Sequence, residues 1–430
     1  MAQNVRLRTA DGSFVVDGRQ RFLLADTVWS ALSDATDDEW AYYLDRRARQ
    51  GFNGALISVL PILHDRSAKE GGLAPFDEDL VRAEGVWRFN DGFFRRLRER
   101  LDMAERYGIV LGLVLLWVNY VEDTWGAERT PGFVMPGGAR DEYLHSLAEV
   151  VRDGECLLVV SGDAAFTSVA EVNSYRDFSE AVRAKWPKSL LTFHSAPTAT
   201  IPVELQALAD ALVFQSGHHG ETPKCARELA ARYRSIAGNR PVMNAEPAYE
   251  AHRVGGGVGR FGRATVRRRI WESVVGGASA GVTYGAHGLW SWHRGNEPFS
   301  SNHFSGAPLD WRQALLLPGS DDAATCRAIM EGVGAYRLDP GSRDLAVVDQ
   351  GWGADEVVVG VDATSATAAV YLPNGGPVTL RGTKQITLKC AIDLETRSEV
   401  KCCVDMADEN TATVDPPGTV SEAVLILQLG

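Results

Sequence analysis

The feature that most constrains the fold of this chain is an alternation between short apolar runs and segments with helical periodicity. Eight apolar runs are present, and a helix or a long loop follows each one. They lie at 22–29, 54–60, 109–117, 156–160, 190–193, 211–214, 240–250 and 281–284. Alternating strands and helices form parallel sheets. Eight such units close more economically into a barrel than into an open sheet, so we predict an α/β fold of the (β/α)8 TIM barrel type.

Helix signals in the connecting segments support this pattern. Thr36 followed by Glu39 has the spacing of a capping box, and Gly51 marks the end of the same helix. Apolar residues repeat along one face between Asp91 and Tyr107. Further helices are predicted at 141–152, 175–186, 224–237, 263–275 and 326–336.

The sequence predicts three structural units. Residues 1–20 contain Asp11-Gly12 and Asp17-Gly18, which predict a hairpin that plugs the bottom of the barrel. The barrel itself is assigned to residues 21–338. From residue 339 the sequence changes to short β-branched runs separated by turns such as Asn374-Gly375-Gly376, which indicates an antiparallel β-sandwich over 339–430.

Composition and charge exclude several classes of partner. With 45% apolar and 23% charged residues, the chain has the composition of a globular protein with a large core. Its formal charge of −12 is accompanied by no basic stripe, so we expect no nucleic-acid or membrane partner. We also expect a cytoplasmic location, since no secretion signal is visible and the six cysteines show no disulfide spacing. The oligomeric state is open, a homo-oligomer included.

Two acidic residues occupy the positions that matter most in such a barrel. Asp163 follows the fourth run, and Glu246 ends the apolar part of the seventh. The carboxyl ends of all barrel strands meet at one rim, where barrel active sites lie. A single acid there could equally be a salt bridge or a helix cap. A facing pair is what glycoside hydrolysis requires, at about 5–5.5 Å for retention and about 6.5–9.5 Å for inversion.

Aromatic and hydrogen-bonding residues follow the same runs. Aromatic rings pack on sugar rings, and polar side chains orient sugar hydroxyls in an otherwise apolar pocket. The predicted carbohydrate-binding residues are Asp26, Trp29, Trp117, Asn119, Gln215, His218, His219, Tyr249, Tyr284, His287 and Trp290. Any one of these aromatics could instead belong to the core.

Other motifs are weaker. His194, His218 and His219 follow successive runs, as zinc ligands do in some barrel hydrolases, but the first run has no His-x-His pair. We therefore predict no metal and no other cofactor. The glycine-rich segment 255–259 lacks the Gly-Lys-Ser/Thr ending of a phosphate loop and is interpreted as a lid. The run Arg267-Arg268-Arg269 is interpreted as a solvated helix face.

Taken together, the motifs resemble those of the apiosidase-like glycoside hydrolases. The matching segments are Ala25-Asp26-Thr27-Val28-Trp29, Gly162-Asp163, Phe214-Gln215-Ser216-Gly217-His218, Pro241-Val242-Met243-Asn244-Ala245-Glu246-Pro247-Ala248-Tyr249-Glu250 and Thr283-Tyr284-Gly285-Ala286-His287-Gly288-Leu289-Trp290. They occur in the family's order over residues 20–340. The resemblance implies a barrel with a C-terminal sandwich and a retaining mechanism.

The resemblance also implies residue roles: Asp163 as acid/base, Glu246 as nucleophile, and Asp26, Gln215 and His218 as contacts to the terminal sugar. The best-known activity of the family is release of apiose, a branched furanose. Residues 157–161 lack the tryptophan and the second glycine common in the family. We therefore expect exo-hydrolysis of a terminal pentose or furanose, such as apiose or arabinofuranose, from a small imported glycoside. The alternatives are a non-catalytic carbohydrate-binding barrel and a transglycosylase that uses the same two acids.

Overall fold

The computed structural model describes residues 6–64, 73–218, 225–255, 257–295 and 297–430. The chain begins with a small antiparallel sheet of β1 (Leu7–Ala10), β2 (Ser13–Val16) and β3 (Arg19–Arg21). Its turns use Asp-Gly pairs, and both aspartates adopt positive φ. Gly12 N–H donates to the carbonyl of Asn239, just before a barrel strand, so this sheet packs against the amino-terminal end of the barrel.

Eight parallel strands follow and form one sheet, which confirms the predicted fold class. They are β4 (Leu23–Thr27), β5 (Gly54–Ser58), β6 (Val110–Trp117), β7 (Leu157–Gly162), β8 (Leu190–Thr192), β9 (Leu212–Gln215), β10 (Val242–Glu246) and β11 (Gly281–Tyr284). The sheet order is β8-β7-β6-β5-β4-β11-β10-β9. All residues of these strands are buried, as expected for strands enclosed by helices on one side and packed side chains on the other.

Hydrogen bonds between β8 and β9 close the barrel. Thr192 Oγ1 donates to the carbonyl of Ala211 over 2.8 Å. Asp210 N–H donates to the carbonyl of Leu191 over the same distance. Closure brings the carboxyl ends of all eight strands to one rim.

The helices on the outside of the barrel largely follow the predicted pattern. They are α1 (Ala31–Asp34), α2 (Asp37–Gln50), α3 (Glu78–Glu84), α4 (Asp91–Arg106), α5 (Trp125–Arg129), α6 (Gly137–Ala148), α7 (Val169–Lys185), α8 (Val203–Gln206), α9 (Cys225–Ala237), α10 (Arg263–Val275), α11 (Asn302–Ser305), α12 (Trp311–Ala314) and α13 (Gly319–Val333). The capping box of Thr36 and Glu39 is present. No helix in the described part of the chain is long and apolar enough to cross a bilayer.

Three helices begin earlier in the chain than their apolar periodicity indicated. α7 begins at Val169 and not near residue 175, because Ser168 caps it by accepting from the N–H of Glu171. α6 begins directly after Pro136, so Gly137 and Gly138 form its first turn rather than a loop. α13 begins after Pro318 and ends at Gly334, whose φ of +67° terminates the helix. Proline is compatible with a helix start because the first turn needs no N–H from it, and this signal outweighs glycine's low helix propensity.

The C-terminal region is a sandwich of two antiparallel sheets, as predicted. Its strands are β12 (Leu345–Val347), β13 (Val358–Asp362), β14 (Thr367–Leu372), β15 (Val378–Gly382), β16 (Ile386–Asp393), β17 (Ser398–Glu399), β18 (Cys403–Asp408), β19 (Thr411–Asp415) and β20 (Ala423–Leu429). One sheet has the order β12-β15-β19-β18 and the other β13-β14-β20-β16-β17. Their facing side chains form a core of their own.

The contact between barrel and sandwich corrects one prediction. Arg267 does not lie on a solvated face, because only 3% of its side chain is exposed. It donates to Glu422 Oε2 over 2.7 Å and to Glu395 Oε2 over 2.7 Å, both in the sandwich. Arg268 donates to the carbonyl of Ala354. Arg267 is buried because the second domain supplies the opposite charges, whereas Arg268 and Arg269 pair with Glu272 on the same helix.

Replacing Arg267 by Met should lower the free energy of unfolding by about 3–5 kcal/mol, because it leaves Glu422 buried without its cation. The measurement is chemical denaturation of the full chain. Arg49→Met is the matched control, since Arg49 forms an exposed ion pair with Asp45, a type of pair that contributes about 0–1 kcal/mol. Equal losses in the two variants would contradict a stabilising role for the buried arginine.

Candidate active site

A cavity of about 310 Å³ opens at the carboxyl ends of the barrel strands. Both predicted catalytic acids, Asp163 and Glu246, line it. Of the predicted carbohydrate-binding residues, the cavity brings together Trp29, Trp117, Gln215, His218, Tyr249 and Trp290. Residues from six different strand ends therefore meet in one space, which requires the closed barrel.

Asp163 stands in a tight turn directly after β7. Its φ is +57°, a left-handed conformation that aspartate adopts more readily than most residues. His64 Nε2 lies 3.1 Å from Oδ2, and Gln215 Nε2 donates to Oδ1 over 3.3 Å. Trp125 Nε1 donates to the backbone carbonyl over 3.0 Å. The carboxyl group is held on both oxygens, while 13% of the side chain stays exposed to the cavity.

Glu246 ends β10 at an irregularity in the strand. The register with β9 shifts between Asn244 and Glu246, and Glu246 N–H donates to Asn244 Oδ1 over 3.2 Å. Such a shift changes the direction of the side chain at the strand end. His218 Nε2 lies 2.9 Å from Oε1, and His194 Nε2 lies 3.4 Å from Oε2. Each carboxylate oxygen therefore faces one imidazole.

Backbone contacts determine which ring nitrogen of each imidazole carries the proton. Asp163 N–H donates to His194 Nδ1, and Tyr249 N–H donates to His218 Nδ1, both over 3.3 Å. A neutral imidazole whose Nδ1 accepts must carry its proton on Nε2. Both Nε2–H groups then lie on the Glu246 side of their rings. His218 is within hydrogen-bonding distance of the carboxylate, whereas His194 makes a longer polar contact of 3.4 Å that lacks hydrogen-bond geometry.

This arrangement keeps Glu246 ionised. Burial by itself raises the pKa of the carboxyl group, but the neighbouring imidazoles of His194 and His218 outweigh it, so the pKa lies below its ordinary value. An ionised, accessible carboxylate is the form that attacks an anomeric carbon.

The same tautomers bear on metal binding. A metal-ligating histidine usually donates its second N–H to a carbonyl or carboxylate, which leaves the other nitrogen free for the metal. In His194 and His218 the second ring nitrogen does not donate: Nδ1 accepts a hydrogen bond from a backbone N–H, which is the opposite of the arrangement in a metal ligand. Among the described residues, no group of three or more His, Cys, Asp or Glu is arranged to hold a metal.

Aromatic rings form the walls of the cavity. Two of these rings pack directly against the backbone at positions where only glycine leaves enough space. A Cβ at Gly162 would lie 2.1 Å from the ring of Trp117, and a Cβ at Gly285 would lie 2.0 Å from the ring of Tyr249. Trp29 Nε1 donates to the Tyr249 hydroxyl over 3.0 Å, and that hydroxyl also interacts with Glu246. The two glycines allow these rings to pack against the strand ends beside the acids.

Asp26 and Asn119 do not line this cavity, contrary to the sequence prediction. Asp26 is fully buried in the barrel and pairs with Arg47 Nε over 2.6 Å. Burial raises the pKa of Asp26 despite this arginine and the hydroxyl of Tyr43. Asn119 lines a neighbouring cavity, which shares Ile62 with this one. A strand-end position alone did not distinguish side chains that face the pocket from those that face the helices.

Tyr284 and His287 support the site from behind and do not line it. The Tyr284 hydroxyl donates to Glu250 Oε2 over 2.6 Å. His287 Nε2 donates to the carbonyl of Gly306 over 2.8 Å, and Trp290 Nε1 donates to His287 Nδ1 over 3.1 Å. His287 therefore orients a cavity tryptophan. His219 lies outside the described residues.

Several residues that line the cavity were not predicted from the sequence. His64, Trp125, Arg129, His252 and His303 line it, as do Ile62, Ala196, Pro197, Ser301, Phe304 and Ser305. His194 was considered only as a metal ligand. The sequence could have indicated His64, Trp125 and His252 as cavity residues, because each is an aromatic ring in a loop that follows a barrel strand. Their direction toward the acids depends on loop conformation.

The catalytic domain model of the apiosidase-like family matches residues 11–336, about three quarters of the chain. This chain belongs to the apiosidase-like family. The match covers both acids and the whole barrel, so the protein is a glycoside hydrolase with a carbohydrate substrate. No curated protein matches the chain.

Solved structures share the architecture of this apiosidase-like protein. A glycoside hydrolase family 5 protein from Bacteroides vulgatus is 18% identical with a TM-score of 0.80, and the alignment covers 99% of this chain and 94% of the other. A second structure, described as a glycoside hydrolase, is 18% identical with a TM-score of 0.78 over 99% of this chain and 97% of the other. At such low identity the likeness concerns the fold, and it includes both the barrel and the sandwich.

The neutral state of His287 predicts an acid-dependent loss of stability. Burial lowers its pKa to about 3 from an ordinary 6.5, so the unfolded chain binds a proton between these values that the folded enzyme does not. The free energy of unfolding should therefore fall as the pH drops from about 6.5 toward 3, by at most about 1.4 kcal/mol per pH unit from this residue.

His287→Gln is the matched variant, because the amide can still donate to the Gly306 carbonyl but does not titrate. Denaturation midpoints measured across this pH range should change less steeply in the variant. His252 titrates in both proteins, and its pKa is lowered by burial first and by the neighbouring His218 and His287 as well, so its contribution also becomes smaller in the variant. Identical slopes would show that His287 is protonated in the folded enzyme.

Proposed function

We propose that this enzyme is a retaining exo-glycosidase that releases a terminal pentose or other furanose-type sugar from a small glycoside. The observation that carries the proposal is the state of Glu246. Its carboxylate lines a cavity, faces two imidazole donors and has a pKa below the ordinary value. These are the properties of a nucleophile, and a second acid with more exposure stands in the same cavity.

The two acids divide the reaction between them. In the first step a Glu246 oxygen attacks the anomeric carbon, the bond to the leaving oxygen breaks, and Asp163 transfers its proton to that oxygen. In the second step Asp163 takes a proton from water. The resulting hydroxide oxygen attacks the anomeric carbon, and Glu246 leaves as a carboxylate. Asp163 suits this exchange because 13% of its side chain is open to the cavity.

The size and lining of the cavity support a small substrate. Ligand cavities typically occupy about 300–1,000 Å³. At about 310 Å³, this one suits a single sugar ring with part of its leaving group. Tryptophan rings offer apolar faces to the ring, while Gln215 and the histidines offer hydrogen bonds. We propose a pentose because the family model is that of the apiosidases, and a cytoplasmic setting because the substrate is small enough to be imported.

Glu246→Gln should lower kcat/KM by at least about 100-fold on any glycoside the enzyme cleaves, because the amide cannot form the covalent intermediate. A panel of aryl pentosides and hexosides provides the substrate, and NMR of the first-formed anomer shows whether configuration is retained. An inverted product would contradict the proposed mechanism. Sugar binding without cleavage by the unmodified enzyme would support a non-catalytic carbohydrate-binding barrel instead, and sugar transfer to an acceptor a transglycosylase.

Asp163→Asn should impair the enzyme according to the leaving group. Loss of a general acid slows departure of an alkyl alcohol by about 100-fold or more, whereas a nitrophenolate leaves with little assistance. Rates of the first step on a series of aryl and alkyl glycosides measure this dependence. An equal loss on all leaving groups would argue that Asp163 is not the acid.

A further inference from the structure

One imidazole contacts both catalytic residues. His194 Nδ1 accepts the backbone N–H of Asp163 over 3.3 Å, and its Nε2 lies 3.4 Å from Glu246 Oε2. Its side chain is completely buried, so it is placed behind the cavity and does not line it. His218 also faces Glu246, but its Nδ1 accepts from Tyr249 and not from the acid/base.

The surroundings of His194 leave its ring one orientation. Ser161 Oγ donates to the His194 carbonyl over 2.9 Å and accepts its backbone N–H over 3.1 Å, which ties the end of β8 to the end of β7. The ring packs against Trp29 and Trp117, at centroid distances of 5.4 Å and 6.1 Å. A ring flip would exchange Nδ1 with Cδ2 and Nε2 with Cε1, so a carbon would replace the nitrogen in both polar contacts.

We propose that His194 is a positioning residue that couples the two catalytic acids, with separate duties for its two nitrogens. Nδ1 stabilises the backbone turn that orients the Asp163 carboxyl group. Nε2–H orients the Glu246 carboxylate and stabilises its negative charge. This inference rests on the proposed retaining function.

The duty of Nδ1 follows from the strain at Asp163. A φ of +57° is unfavourable for a residue with a Cβ, so the turn needs contacts that favour it. The N–H of Asp163 has His194 Nδ1 as its acceptor, and the carbonyl has Trp125 Nε1 as its donor. Without the hydrogen bond to His194 Nδ1, the backbone turn at Asp163 would relax. The carboxyl group would then no longer be oriented toward the leaving oxygen.

The duty of Nε2 follows from the reaction cycle. Glu246 must be ionised before attack and must leave as a carboxylate in the second step, so a donor on Oε2 favours both states. The titratable side chains that interact with Glu246 are His194 after β8, His218 after β9, and Tyr249 and His252 after β10. Of these four, His194 also contacts Asp163.

Two substitutions of His194 distinguish the role of Nδ1 from the role of Nε2. In His194→Asn the amide oxygen lies near the position of Nδ1, so the acceptor for Asp163 is kept and the donor to Glu246 is lost. In His194→Gln the amide nitrogen lies near the position of Nε2, so the donor is kept and the acceptor is lost. The measurements are the pH profile of kcat/KM and its dependence on the leaving group.

His194→Asn should raise the acidic limb of the pH profile by about one unit, because Glu246 loses one of its two imidazole donors. Its leaving-group dependence should match that of the unmodified enzyme. His194→Gln should keep the acidic limb and lose at least about tenfold more activity on alkyl glycosides than on nitrophenyl glycosides, because proton transfer by Asp163 is impaired. His218→Asn is the comparison variant: it should move the acidic limb and leave the leaving-group dependence unchanged, whatever its effect on sugar binding.

Equal losses in both His194 variants, with unchanged limb and leaving-group dependence, would reduce His194 to a packing role and overturn the proposal. If the variants do not fold, ¹⁵N NMR of the imidazoles in the unmodified enzyme decides. Protonation of His194 at Nε2 with Nδ1 bare supports the proposal, and the reverse overturns it. An inverted product from the unmodified enzyme would instead refute the retaining function, whereas the tautomer result does not depend on stereochemistry.

Discussion

The interaction on which the site depends is the pairing of a buried carboxylate with two neutral imidazoles. Removing an ion from water costs several kcal/mol unless it is hydrogen-bonded. Glu246 meets this cost with His194 and His218, which follow β8 and β9, the two strands whose contact closes the barrel. The proposed nucleophile is therefore stabilised only in the closed barrel, which couples the proposed chemistry of the site to completion of the fold.

Neutral donors have an advantage over cations at this position. In the proposed retaining mechanism, an arginine beside Glu246 would stabilise the carboxylate more strongly and would oppose formation of the covalent intermediate, in which that charge is lost. The chain places its buried arginines elsewhere: Arg47 pairs with Asp26 inside the barrel wall, and Arg267 pairs with Glu422 between the barrel and the sandwich. These ion pairs stabilise the barrel and its contact with the sandwich, whereas polar contacts from histidine lower the pKa of Glu246.

Local sequence signals predicted the scaffold well where one interaction decides the structure. The capping box at Thr36 and the strand Gly281–Tyr284 lie where the sequence placed them, because hydroxyl capping and β-branched apolar runs act over a few residues. α6, α7 and α13 begin earlier than their apolar periodicity indicated. Prolines precede α6 and α13, and the hydroxyl of Ser168 caps α7, so these local start signals outweigh the periodicity. Arg267 in the arginine run on α10 was wrongly predicted to be solvated, since its partners Glu395 and Glu422 lie more than a hundred residues away in the sandwich.

The sequence by itself determined the order of the eight strands and the positions of Asp163 and Glu246 at the ends of two of them. Only the tertiary structure decided which polar side chains face those acids. Asp26 turns toward Arg47, while His64 and His194 contact the acids. The physical reason is that strand position depends on local apolar patterning, whereas the direction of a polar side chain depends on which partner the closed barrel brings within hydrogen-bonding distance.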